Sequence, residues 1–140
     1  MSEQMIAELS ALAADLRESA VRVVVLAARG SSFCAGGDLK WMQAQMIADA
    51  PTRAAAARAL AMMLQAWNTL PQPVIGRIHG NAFGGGVGLT AICDVAVGVE
   101  GRRLCGDLPR CQIFRNREVS DMWRSEDGEG LRMPLDAFDL

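Results

Sequence analysis

Two glycine clusters limit what this chain can fold into. Each follows a β-branched run and precedes a segment with helical patterning. The first run, Val21-Arg22-Val23-Val24-Val25-Leu26, leads into Arg29-Gly30-Ser31-Ser32-Phe33-Cys34-Ala35-Gly36-Gly37. The second, Val74-Ile75-Gly76-Arg77-Ile78-His79, leads into Gly80-Asn81-Ala82-Phe83-Gly84-Gly85-Gly86. A strand, a glycine turn and a helix, repeated and followed by a further strand at 95–99, is the order of an α/β fold. Such turns leave backbone N–H groups free at the start of a helix. Glycine also permits positive φ and lets a ligand approach the backbone closely. Two such N–H groups aimed at one point can hold a developing oxyanion, for example a thioester carbonyl becoming an enolate.

The segments around the turns fit this order. Residues 3–19 read as a helix capped by Ser2, with Met5, Ile6, Leu9, Leu12, Ala13 and Leu16 on one face. The first strand, dense in β-branched residues, is expected to be buried on both faces. Asp38 can cap a helix through Leu39, Trp41, Met42 and Met46. Pro51-Thr52 reads as a break, with Thr52 capping an alanine-rich helix to about residue 69 whose core stripe is Leu60, Met63, Leu64 and Trp67. Another helix is expected from Val87 to about Ile92. Beyond residue 100 no period is evident. A short strand is possible at 111–114 and a helical turn at 118–123, in a tail that is otherwise irregular. Half of the 14 basic and 16 acidic residues fall in 101–140, so a composition boundary is placed at 100.

Other chemistries fit less well. A dinucleotide fingerprint needs glycines at i, i+2 and i+5. Gly84 and Gly86 supply the first two, but position 89 is leucine. No lysine lies near for a phosphate-binding Walker loop. His79 is the single histidine, so a Ser-His-Asp arrangement has one candidate base, and neither Ser31 nor Ser32 lies in a nucleophile elbow. No ligand pair has zinc spacing, and no metal is expected. The net charge of −2 gives no basic excess for nucleic acid or an anionic membrane. The apolar runs are shorter than a membrane span requires. No basic segment leads into an apolar core at the N-terminus, so a cytoplasmic protein with reduced cysteines is expected.

The stretch from Val23 through Phe33-Cys34-Ala35-Gly36-Gly37-Asp38-Leu39-Lys40 resembles the first signature of the enoyl-CoA hydratase/isomerase (crotonase) family. Pro73 through His79-Gly80-Asn81-Ala82-Phe83-Gly84-Gly85-Gly86-Val87-Gly88-Leu89, continuing to Cys93-Asp94, resembles the second. The resemblance covers residues 3–100 and implies an incomplete β-β-α spiral core. It implies an acyl-CoA thioester as substrate, with no separate cofactor, and a homotrimer or hexamer. By motif match, the oxyanion-hole N–H groups fall on Gly37 and Gly85. Ala35, Gly36, Gly37, Asp38, Leu39, Lys40, Gly84 and Gly85 fall in the acyl-CoA-binding segments. Lys40 could meet a CoA phosphate or be a solvated helix residue. Asp38 is read as a helix cap, His79 as structural, and Trp41, Met42 and Met46 as core or acyl-pocket wall.

The departures from the family pattern are also informative. Hydratases of the family use two glutamates. The place of the first is Gly88, and ungapped counting puts the second at Leu108, beside Asp107. The family's initial β-hairpin and C-terminal helices have no counterpart, and residues 101–140 resemble no family segment. The expectation is therefore a core fragment at 1–100 with a divergent charged tail at 101–140, from a truncated or frame-altered product. The functional reading is an enoyl-CoA hydratase/isomerase relative that binds an acyl-CoA and stabilises its enolate. The alternative is a non-catalytic acyl-CoA binder or an inactive truncated member.

Overall fold

A computed structural model describes residues 1–99 and 104–105. Helix α1 spans Glu3–Arg17, and the Ser2 hydroxyl accepts from the Met5 N–H at 3.2 Å, the expected cap. Its buried stripe is narrower than its apolar pattern. Ile6 and Ala13 are buried, Leu9 and Leu16 are partly so, and Met5 and Leu12 face outward. The reason is that α1 packs mainly against helix α3 (Ala50–Asn68).

The break expected at Pro51-Thr52 falls earlier, at Ala48-Asp49. Asp49 caps α3 instead of Thr52, its carboxylate accepting from the Thr52 N–H at 2.8 Å. Hydrogen bonding from Thr52 lowers the Asp49 pKa from the ordinary carboxylate value. Proline fits the first helical turn, where its missing N–H would have had no partner. The core stripe of α3 matches expectation, with Met63 and Trp67 buried and Leu60 and Leu64 packed partly against the core. The Trp67 indole N–H donates to the Leu9 carbonyl at 2.9 Å, which joins α3 to α1. Replacing a buried tryptophan of this kind by alanine costs about 3–5 kcal/mol.

Strand β1 is Val24–Ala27 and helix α2 is Leu39–Ile47. Strand β2 is Val74–Ile78, β3 is Ala82–Phe83, helix α4 is Gly85–Ala91, and β4 is Val95–Gly98. A further strand, β5, is Leu104–Cys105. The main sheet has the order β1-β2-β4 and is parallel throughout, with Val25, Ile75 and Val95 in register. Parallel neighbours require crossovers. Helices α2 and α3 make the first, and β3 with α4 makes the second.

Among the described residues, the parallel sheet is covered on one face. Val74 and Ile78 are buried in the core with Ala82, Leu89, Phe33 and Cys34. The other face carries Val25, Val95 and Val97, all exposed, so the expectation that the first strand is buried on both sides is not met. Helix α2 also departs from expectation. It has no buried residue: Met42 and Met46 are exposed rather than part of the core, while Trp41 packs partly against it. The β3–β5 pair lies inside and beyond a stretch read as turn and irregular tail, and two-residue strands leave no period-2 signal. The strand expected at 111–114 and the helical turn at 118–123 lie outside the described residues.

Candidate functional site

The two glycine turns leave the same end of the parallel sheet, after β1 and after β2, and are tied together by backbone. Asn81 O accepts from Phe33 N at 2.9 Å and from Cys34 N at 3.1 Å, and Phe83 N donates to Cys34 O at 2.9 Å. Gly80 makes this crossing possible. A Cβ there would lie 2.7 Å from the Ser31 carbonyl oxygen and 2.9 Å from Ser32 Cα, and neither is a side chain that can swing away. His79 Nε2 lies 2.9 Å from the Gly30 carbonyl oxygen. A carbonyl accepts only, so Nε2 is the protonated nitrogen. His79 thus ties the start of one turn to the start of the other.

Two glycines at the crossing have left-handed backbone, Gly36 at φ +99° and Gly84 at φ +51°. A Cβ on Gly84 would lie 3.6 Å from Gly36 Cα and 4.0 Å from the Gly37 nitrogen. The turns therefore stack backbone on backbone with no side chain between them. Gly37 precedes the cap of α2, and Gly85 is the first residue of α4. Among the described residues, neither the Gly37 N–H nor the Gly85 N–H has a hydrogen-bond partner. Both glycines are half-buried. One unpaired donor from each turn is thus brought to a single crossing.

The structure gathers Gly36, Gly37, Gly84 and Gly85, with Ala35 exposed beside them. Asp38, Leu39 and Lys40 lie on the exposed opening of α2. The Asp38 carboxylate accepts from the Trp41 N–H at 2.9 Å, as a cap does. Two methionine side chains complete the surroundings. A Cβ on Gly37 would meet Met42 Sδ at 2.9 Å, and one on Gly85 would meet Met1 Cε at 2.9 Å. Met1 was missed in the sequence, since nothing in a local pattern connects residue 1 to a turn 84 residues away. At Gly88, a Cβ would meet Leu64 Cδ1 at 2.9 Å, so that space is filled by α3. Asp107 and Leu108 lie outside the described residues.

Comparison with known proteins identifies the family. The sequence profile of the enoyl-CoA hydratase/isomerase family matches residues 1–103. The chain belongs to the enoyl-CoA hydratase/isomerase family. The crystal structure of an enoyl-CoA hydratase from Mycobacterium smegmatis aligns with TM-score 0.66 and 41% identity, over 70% of this chain and 38% of that one. An enoyl-CoA hydratase from Shewanella pealeana aligns with TM-score 0.68 and 32% identity, over 70% and 37%. Enoyl-CoA hydratase AKT6-1 of Alternaria alternata is 35% identical over 88 residues, covering 63% of this chain and 28% of that protein. The fold is α/β of the crotonase type. This family member spans 37% of the length of the mycobacterial relatives that it matches at 33% identity. No helix among its described residues is long and apolar enough to cross a membrane.

Proposed function

We propose that this crotonase-family chain binds an acyl-CoA thioester and that the N–H groups of Gly37 and Gly85 hold its carbonyl oxygen. Enolate character increases the negative charge on that oxygen, and donors fixed before the reaction stabilise it. The observation that carries the reading is the crossing itself, where Gly84 lies against Gly36 and Gly37, and the half-buried Gly37 and Gly85 N–H groups have no partner among the described residues. The segment Ala35-Gly36-Gly37-Asp38-Leu39-Lys40 and Gly84-Gly85 would bind the ligand, and Lys40, exposed on α2, is placed for a CoA phosphate. The ligand brings the coenzyme, and no further cofactor is needed. A cytoplasmic homotrimer or hexamer is the proposed setting.

A specific observation favours binding without hydration. Position 88, where hydratases of the family carry a glutamate, is glycine, and Leu64 fills the space beside it. An apolar side chain there can neither activate water nor move a proton.

Calorimetric titration with butyryl-CoA, which has no double bond to hydrate, tests the reading. One-site saturable binding is expected. Gly85→Pro should abolish it, because proline fits the first position of α4 yet removes the N–H. Gly85→Ala is the control, adding bulk against the flexible Met1 while keeping the donor. Equal affinity of the native and proline chains would overturn the proposal. A crotonyl-CoA hydration assay of the native chain then separates enzyme from binder.

A further inference from the structure

Met1 touches both halves of the crossing. Its nitrogen donates to the Gly36 carbonyl. Its carbonyl accepts from the Asp38 N–H at 2.8 Å. Its side chain lies against Gly85. The two backbone bonds flank Gly37. The first has a geometric consequence, because the Gly36 carbonyl belongs to the same peptide unit as the Gly37 N–H. No peptide bond among the described residues is cis. In a planar trans unit the N–H points opposite to the C=O. A bond from Met1 to that carbonyl therefore turns the Gly37 N–H away from Met1.

We propose that Met1 is a positioning residue for the Gly37 N–H. This rests on the reading that Gly37 receives the thioester oxygen. Gly36, with positive φ and no side chain, lets its peptide rotate readily. The Met1 bond removes that freedom, and the Asp38 bond fixes the following unit. A hydrogen bond accepted at one end of an amide also polarises the N–H at the other. The donor is thus held in one direction before ligand arrives, and hydrogen bonds weaken steeply as they bend from linear. The Met1 side chain is not the holding element, so its loss should matter less than loss of the residue's backbone.

The test uses butyryl-CoA labelled with carbon-13 at the thioester carbonyl, followed by isotope-edited infrared spectroscopy. The native chain is compared with a chain beginning at Ser2 and with Met1→Ala, both prepared behind a cleavable leader. On binding to the native chain the carbonyl band should move to lower wavenumber. The chain lacking Met1 should lose most of that shift and bind about tenfold more weakly, the worth of one well-aligned hydrogen bond. Met1→Ala should keep the shift. A full shift without Met1 overturns the proposal. If the shortened chain does not fold, amide exchange in the unliganded native chain decides. Asp38 should be protected and Gly37 should not, and an unprotected Asp38 amide overturns the proposal. Absence of any shift in the native chain sinks the thioester reading itself, a result distinct from the others.

Discussion

Gly86 lies so close to Cys34 that a Cβ at position 86 would sit 2.4 Å from the Cys34 Cβ and 3.0 Å from its sulfur. The third glycine of the triple is therefore a packing residue, and it holds α4 against the first turn. Gly86→Ala should destabilise the chain by about 1–3 kcal/mol, the ordinary range for overpacking. Urea unfolding followed by circular dichroism reads this as a lower midpoint. Cys34→Gly in the same chain removes the opposing Cβ, so the double variant should lose less than the two single losses added. Strict additivity would mean that the contact does not limit packing.

Asp94 pins the start of the central strand. Its carboxylate accepts from the Val74 N–H at 2.7 Å, and its own N–H donates to the Val74 carbonyl at 2.8 Å. Asp94→Ala should lower stability by about 1–2 kcal/mol, since the Val74 donor loses its acceptor. Asp94→Asn keeps an acceptor oxygen and should lose less. Denaturant midpoints of the three chains check the order.

Cys93 gives a pH dependence with a definite sign. Its thiol donates to the Leu89 carbonyl at 3.2 Å and packs where a Gly76 side chain would be. Burial, then the negative charge of Asp94, pushes its pKa up to about 11 from an ordinary 9.0. The folded state thus favours the neutral thiol. That contribution is fully present below about pH 9 and is lost as pH rises toward 11. The stability advantage of the native chain over Cys93→Ala should therefore shrink across this window, measured by urea unfolding at pH 8, 9.5 and 11. A constant difference would contradict it.

The sheet face that the described residues leave exposed should be sticky. Val25 is 59% exposed and Val97 46%, on the same side of a parallel sheet. Parallel sheets are ordinarily covered on both faces, and contiguous exposed apolar patches bind partners or associate. The purified chain should bind a hydrophobic dye and associate with rising concentration. Val25→Thr with Val97→Thr should weaken both effects without changing the circular dichroism spectrum. Light scattering and dye fluorescence provide the readouts.

What was legible in the sequence was local. Ser2 and Asp38 announce their helices because a cap bonds within three residues. The strands at Val24 and Val74 and the helix stripe at Met63 and Trp67 show because period and β-branching act over a few positions. The family, too, was legible, since two long glycine signatures occur in order. The choice of Asp49 over Thr52 was not, because two adequate caps three residues apart compete and a proline fits either start. The two-residue strand Ala82–Phe83 was hidden inside its glycine turn.

Sequence by itself therefore determined the α/β order, the caps at Ser2 and Asp38, the glycine positions and the family. Only the tertiary structure decided that Gly84 stacks on Gly36, that Leu64 fills the space at Gly88, and that the Met1 nitrogen bonds the Gly36 carbonyl. It also decided which sheet face the described residues leave exposed. The physical reason is range. Propensity, capping and turn chemistry act between neighbours in the chain. Close approach of two backbones depends on what folding brings together from distant parts of the chain, and no local pattern records it.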